Sequence, residues 1–183
     1  IVAENAGPDY CLLHVLAVNA EGLGLQKPAE QEPIRVSGHV TSPLIQVKNR
    51  VIAVSNLGEI RVIDIDPTNA KKPAKISATL VKSLSRPQSS FGLVEGAQIW
   101  LASDRFVSYD IQASRQQLNR RWVRHEQETF VAPLQRSGKT VYHARRRRGS
   151  PGVTLSAVNL DDGQAIWQTD LAVPLQLVVG DAP

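Results

Sequence analysis

Cysteine is nearly missing from this 183-residue sequence, and the single thiol, Cys11, can form no disulfide within the chain. A disulfide framework is therefore excluded. Cys11 sits in the apolar run with Leu12, Leu13 and Val15, which predicts a small buried hydrophobe rather than a reactive thiolate. No run of 18 or more apolar residues is present, so no membrane-spanning helix is encoded in these residues. No basic, apolar leader follows Ile1, and the first residue is not Met, which points to a start made by processing or cleavage. Neither a Gly-x-Ser-x-Gly element nor a phosphate-binding glycine loop occurs. His14, His39, His125 and His143 have no companion at metal-ligand spacing and are expected to be ordinary surface or strand histidines. Asp161-Asp162 and the pair Asp64/Asp66 lack the oxygen-ligand series of a calcium loop, so they read as turn residues.

Charge is also modest. The net charge of +4 and a pI of about 9.5 fall short of the basic stripe of a nucleic-acid-binding domain. Hydrophobic residues at 42% and charged residues at 21% describe an ordinary globular chain with enough apolar side chains for a core. One local feature stands out: Arg145, Arg146, Arg147 and Arg148, followed by Gly-Ser-Pro-Gly. The run predicts a solvated loop, with an anionic partner such as phosphate or polysaccharide as the functional alternative. No aromatics interleave it, so a nucleic-acid partner is not expected. Arg120, Arg121 and Arg124 are expected on one exposed face of an outer strand, with Trp122 turned the other way.

What the sequence does have is a repeat. Four β-prone segments end on Asn or Asp: Leu16–Asn19, Arg61–Asp64, Val107–Asp110 and Ser156–Asn159. The intervals between Asn19, Asp64, Asp110 and Asn159 are 45, 46 and 49 residues, the length of one propeller blade. Each of the last three is preceded by two more β-prone runs. The nearer are 50–55, 98–103 and 140–144, and the farther are 42–47, 90–94 and 131–135. A further strand follows at 76–81, 118–124 and 164–171, with residues 111–121 read as a long turn plus an outer strand rather than a helix. The expected class is therefore all-β: a β-propeller of four-stranded antiparallel blades. A partial first blade takes 1–41, then come 42–86, 87–130 and 131–175, and 176–183 begin another. One such sheet cannot cover both of its faces, and stacking blades around an axis does so.

The fourth unit carries the most specific motif: Ala157, Asn159, Gly163 and Trp167 in fixed register. It resembles the tryptophan-docking repeat of the PQQ-like, quinoprotein-type propellers, with Asn159 where that family has Asp and Asp162 where it has Thr. Asn19, Asp64 and Asp110 with Trp122 match the same pattern in part. The resemblance implies a structural role for these residues. It also implies a ring of seven or eight blades, of which about four are present here. Outer-membrane assembly propeller lipoproteins belong to this kind, which favours a non-catalytic, protein-binding or scaffolding module in a periplasmic or extracytoplasmic setting. The ring would be completed by the rest of a parent chain, a protein partner or a second copy. The alternative is a fragment of a quinone-dependent dehydrogenase whose active residues lie in other blades. Family enzymes use a vicinal cysteine pair, and a chain with one cysteine has none, so no PQQ cofactor and no catalytic or metal residue is expected here.

Overall fold

The computed structural model describes residues 1–18, 22, 24–81, 84 and 86–172. Asn19 and the expected start of a further blade at 176–183 lie outside them. The chain divides into two compact units: residues 1–87 with 111–118, and residues 88–110 with 119 onward.

In the first unit, β1 (Val2–Glu4), β2 (Tyr10–His14) and β5 (Ile34–Ser37) form a three-stranded antiparallel sheet in that spatial order. β3 (Ala17–Val18) and β4 (Leu25–Gln26) make a separate two-stranded ribbon. His14 stands opposite Val2 as Asp64 stands opposite Arg50. The second strand of the first repeat thus ends at His14, which pairs with Glu4 at 2.6 Å, and the chain beyond it enters the ribbon at Ala17. β6 (Ile45–Val47), β7 (Arg50–Val54), β8 (Ile60–Ile65) and β9 (Ala74–Leu80) form a complete antiparallel blade. Its core joins Cys11, Leu13, Ile34, Val36, Ala53 and Ile63, all buried. Cys11 is fully buried, and burial pushes its thiol pKa up, so it behaves as a small hydrophobe.

The second unit repeats the pattern. β10 (Phe91–Glu95), β11 (Gln98–Ala102), β12 (Phe106–Gln112) and β13 (Gln117–Arg124) follow one another across a sheet. The end of β12, a single 3₁₀ turn at Ala113–Arg115 and the start of β13 belong to the first unit. There the Thr79 N–H donates to the Gln116 carbonyl at 3.2 Å. The next blade holds β14 (Thr129–Phe130), β15 (Gln135–Ser137), β16 (Thr140–Arg146), β17 (Val153–Asn159) and β18 (Ala165–Leu171). Among the described residues no helix is long and apolar enough to cross a membrane.

Why these residues make these hairpins is plain at the turns. Val47 pairs Arg50, Glu95 pairs Gln98 and Ser137 pairs Thr140, which leaves two-residue loops. The first loop residue has positive φ each time: Lys48, Gly96 and Gly138, at 55°, 57° and 56°. Tight hairpin loops matched to the strand twist require that geometry. Residues 131–135, expected as a first strand, mostly are not one; the strand begins only at Gln135. Pro133 has no N–H for a ladder and holds the segment out of the sheet. In compensation the two-residue β14 pairs with β16 just before it.

Candidate functional site

The Asn159–Gly163 turn is where the repeat motif becomes geometry. The Asn159 side-chain oxygen accepts from the Asp161 N–H at 2.8 Å, and its carbonyl accepts from the Gly163 N–H at 2.8 Å. Gly163 has φ +69°, the left-handed conformation that closes the turn. On this turn lies Trp122: its Nε1–H donates to the Asp161 carbonyl at 3.1 Å, and Arg124 donates to the Asp162 carbonyl at 2.9 Å. Lys139 adds an ion pair to Asp161 at 3.0 Å. Trp122 and Arg124 therefore face the same way. This corrects the expectation that Trp122 turns from the arginines, since residues two apart share a strand face. Arg121, on the opposite face, reaches Asp110 at 3.7 Å.

A Cβ on Gly163 would stand 2.8 Å from Cζ3 and 2.9 Å from Cε3 of Trp122. Gly163→Ala is therefore expected to cost about 2 kcal/mol, from the left-handed backbone and the displaced indole together. Urea unfolding followed by tryptophan fluorescence would show it. Trp122→Phe should lessen the penalty, and a loss below about 0.5 kcal/mol would mean that Trp122 does not rest on Gly163.

The other motif residues are placed as follows. Ala157 is buried in β17 opposite Trp167. Asp64 is held by Arg50 at 2.6 Å, at the edge of an open groove of about 450 Å³ whose lining also includes Asp66 and Lys72. Asp66 accepts from the Thr68 hydroxyl and N–H at 2.6 and 3.0 Å, and these bonds lower its pKa, as suits a turn residue. Trp167 differs from Trp122. It is 42% exposed on β18, beside Ile166 at 58%, and its ring lies 6.2 Å from Tyr142.

The arginine run does not act as one patch. Arg145 points inward from β16 and is 1% exposed, whereas Arg146 and Arg148 are exposed. Its guanidinium is closed by the Glu128 carboxylate, the Ser156 hydroxyl and, at 3.2 Å, the Gln168 side-chain oxygen. Burial lowers the Arg145 pKa, and Glu128 opposes that shift. Arg147 lies 3.7 Å from Asp170. Of the four, Arg146 and Arg148 remain for an outside anion.

Sequence reasoning missed the neighbours of Arg145. His143, two residues earlier on the same face, is a strand histidine and is fully buried. Its ring packs 5.3 Å from Phe106, 5.1 Å from Phe130 and 5.1 Å from His125. The strict two-residue alternation of Val141, His143 and Arg145 was the available signal. Among the described residues no group of three or more His, Cys, Asp and Glu is placed to hold a metal ion.

No protein-family model matches the sequence, and no curated protein does. Solved structures do match. BamB from Moraxella catarrhalis aligns with a TM-score of 0.57 at 10% identity, over 89% of this chain and 50% of that one. A Lactobacillus plantarum protein aligns with a TM-score of 0.53 at 16% identity, over 87% of this chain and 50% of that one. The chain thus spans about half the length of the solved structures it matches. At these identities the likeness speaks to architecture, and the chain is accordingly an all-β protein with the propeller fold of BamB, built from four-stranded antiparallel blades.

Proposed function

We propose that the chain is a non-catalytic, protein-binding propeller module and that the sheet face at Trp167 carries the binding. The observation behind this is the contrast between two tryptophans on corresponding outer strands. Trp122 has its N–H satisfied by the Asp161 carbonyl and its ring against Gly163. Trp167 presents an exposed ring beside exposed Ile166 on a strand open to solvent. A large exposed aromatic is a common anchor of a protein interface, and a strand that among the described residues is paired on one side only favours a polypeptide partner over a small molecule. The chemistry of the partner follows from the Trp122 example: a tight turn with outward carbonyls. Protein binding also agrees with a buried polar network spent on bonds within the blade, such as Arg145 with Glu128. A quinone cofactor has no part in this reading. A second reading, anion binding, rests on the exposed Arg146 and Arg148.

The test is affinity purification of the full-length protein followed by native mass measurement. Trp167→Ser is expected to keep the fold, because the ring is half in water, and to lose at least tenfold in partner retention. Arg146→Ser with Arg148→Ser should retain the partner. Retention that falls with the arginines and not with Trp167 would transfer the function to the basic loop.

A further inference from the structure

A second feature of the same blade is independent of the Trp167 face. Between β13 and β14 the chain makes the turn His125–Glu128, in which two non-glycine residues are left-handed, His125 at φ 53° and Gln127 at φ 64°. Each such residue costs about 1 kcal/mol or more, so the turn persists only because its side chains are held. Two contacts hold it. The His125 ring lies on His143 at 5.1 Å, and Glu128 closes on Arg145. Beyond it, β14 pairs with β16 through Thr129 with Arg146 and Phe130 with Arg145, and the N–H groups of Val131 and Phe130 donate to the Ala144 and Ser103 carbonyls at 3.0 and 3.3 Å.

We propose that residues 125–130 form an acid-released latch, closed while His125 and His143 are neutral and opened when they are protonated. The surroundings explain why. Both ring nitrogens of His143 and Nε2 of His125 are buried and meet no hydrogen-bonding group among the described residues. The cationic neighbours are Arg145 on β16, Arg147 just beyond it and Arg124 on β13. Of the two carboxylates in the turn, Glu128 is committed to Arg145 and Glu126 is exposed and acts on Arg105, while Asp170 on β18 is taken by Thr154 and Arg147. β12 contributes the uncharged Phe106. On the β11–β12 turn, Arg105 is closed onto Asp104 at 2.6 Å. An imidazolium here would be desolvated, uncompensated and beside an arginine, whereas a released ring is hydrated.

The sign follows. Burial first, and the arginines second, depress the pKa of His143 to about 3 and that of His125 to about 4. A released histidine takes its proton near 6.5. The latched state is therefore fully favoured above about pH 6.5 and loses roughly tenfold per pH unit for each histidine below it, down to the depressed values. Two histidines make that about a hundredfold per unit between about pH 6.5 and 4. Opening uncovers Phe130 and the Arg145 guanidinium, so acid would expose a basic, aromatic surface.

Hydrogen exchange of the intact chain, corrected for intrinsic rates, tests this at about pH 7 and pH 5. Amides of residues 125–131 are expected to lose at least a hundredfold in protection at the lower pH, reversibly, with β7 and β8 of the first unit unchanged. The double variant His125→Asn, His143→Phe should abolish the response, since Asn tolerates the left-handed backbone and Phe fits the aromatic cluster. Glu128→Gln should lower the protection of the same amides already at about pH 7, because it removes the second contact that holds the turn, and unchanged protection there would also overturn the latch. Unchanged protection at about pH 5, an equal response in the double variant, or simultaneous loss across both units would overturn the latch. So would imidazole proton resonances of the wild-type chain showing His125 and His143 titrating near 6.5, a readout that needs no variant.

Discussion

Replacing Arg145 with methionine is expected to destabilise the second unit by about 3 to 5 kcal/mol, although Arg145 opens a run that reads as surface. The side chain is 1% exposed and joins Glu128, Ser156 and Gln168 across three parts of one blade. Methionine fills similar length but leaves the Glu128 carboxylate, itself only 19% exposed, without its counter-charge. The cost therefore lies mainly in the partner that remains, not in the net worth of the pair. That distinction can be measured. Arg145→Met with Glu128→Met should recover most of the loss, because a well-packed apolar replacement of a buried pair is often neutral or stabilising. Arg146→Ser and Arg148→Ser, on exposed side chains, should stay within about 0.5 kcal/mol of wild type. Urea unfolding monitored by circular dichroism decides it. A loss below about 1 kcal/mol for Arg145→Met would show that the guanidinium finds water in the folded protein.

The repeat was legible because its signals are local. β-prone runs, polar turns and a 45- to 49-residue spacing place β7, β8, β11, β12, β16 and β17 where the sequence reading expects strands. The Ala157–Trp167 motif is a turn with short-range bonds, and Asn159 and Gly163 perform in it the tasks their chemistry suggests. What was not legible depends on distant partners. Nothing local distinguishes Arg145 from Arg146 except strand alternation, and the pairing with Glu128 crosses 17 residues of chain. The left-handed His125 is invisible too, since His carries no turn signal as strong as Gly or Asn. Pro133 was a readable strand breaker that the repeat phase overrode.

Burial at the arginine run and at the two tryptophans does not follow composition. A run of four like charges draws attention, yet the structure spends one of them inside and turns a second toward Asp170. A single tryptophan on an outer strand is less conspicuous, and among the described residues Trp122 rests on a turn while Trp167 is 42% exposed.

Trp100→Ala is expected to have a comparable effect, about 3 to 5 kcal/mol, by a different mechanism. Trp100 sits in the middle of β11, 1% exposed, in a cluster with Phe106, Phe130, Val141, Val158 and Leu160. Its Nε1–H donates to the Leu160 carbonyl at 3.1 Å, 60 residues along the chain. It thus joins β11 to the blade of β16 and β17 within the second unit. Truncation removes the largest fully buried side chain, opens a cavity and leaves that carbonyl short of a donor. Trp100→Phe separates these terms. It keeps most of the apolar contact and loses the donor, so it should cost only about 1 to 2 kcal/mol. The Leu160 N–H, which donates to the Lys139 carbonyl at 2.9 Å, gives a local reporter. In Trp100→Ala its exchange protection should fall with global stability, and in Trp100→Phe it should persist. If the alanine and phenylalanine variants lost equal stability, the hydrogen bond rather than the packing would be what holds this core.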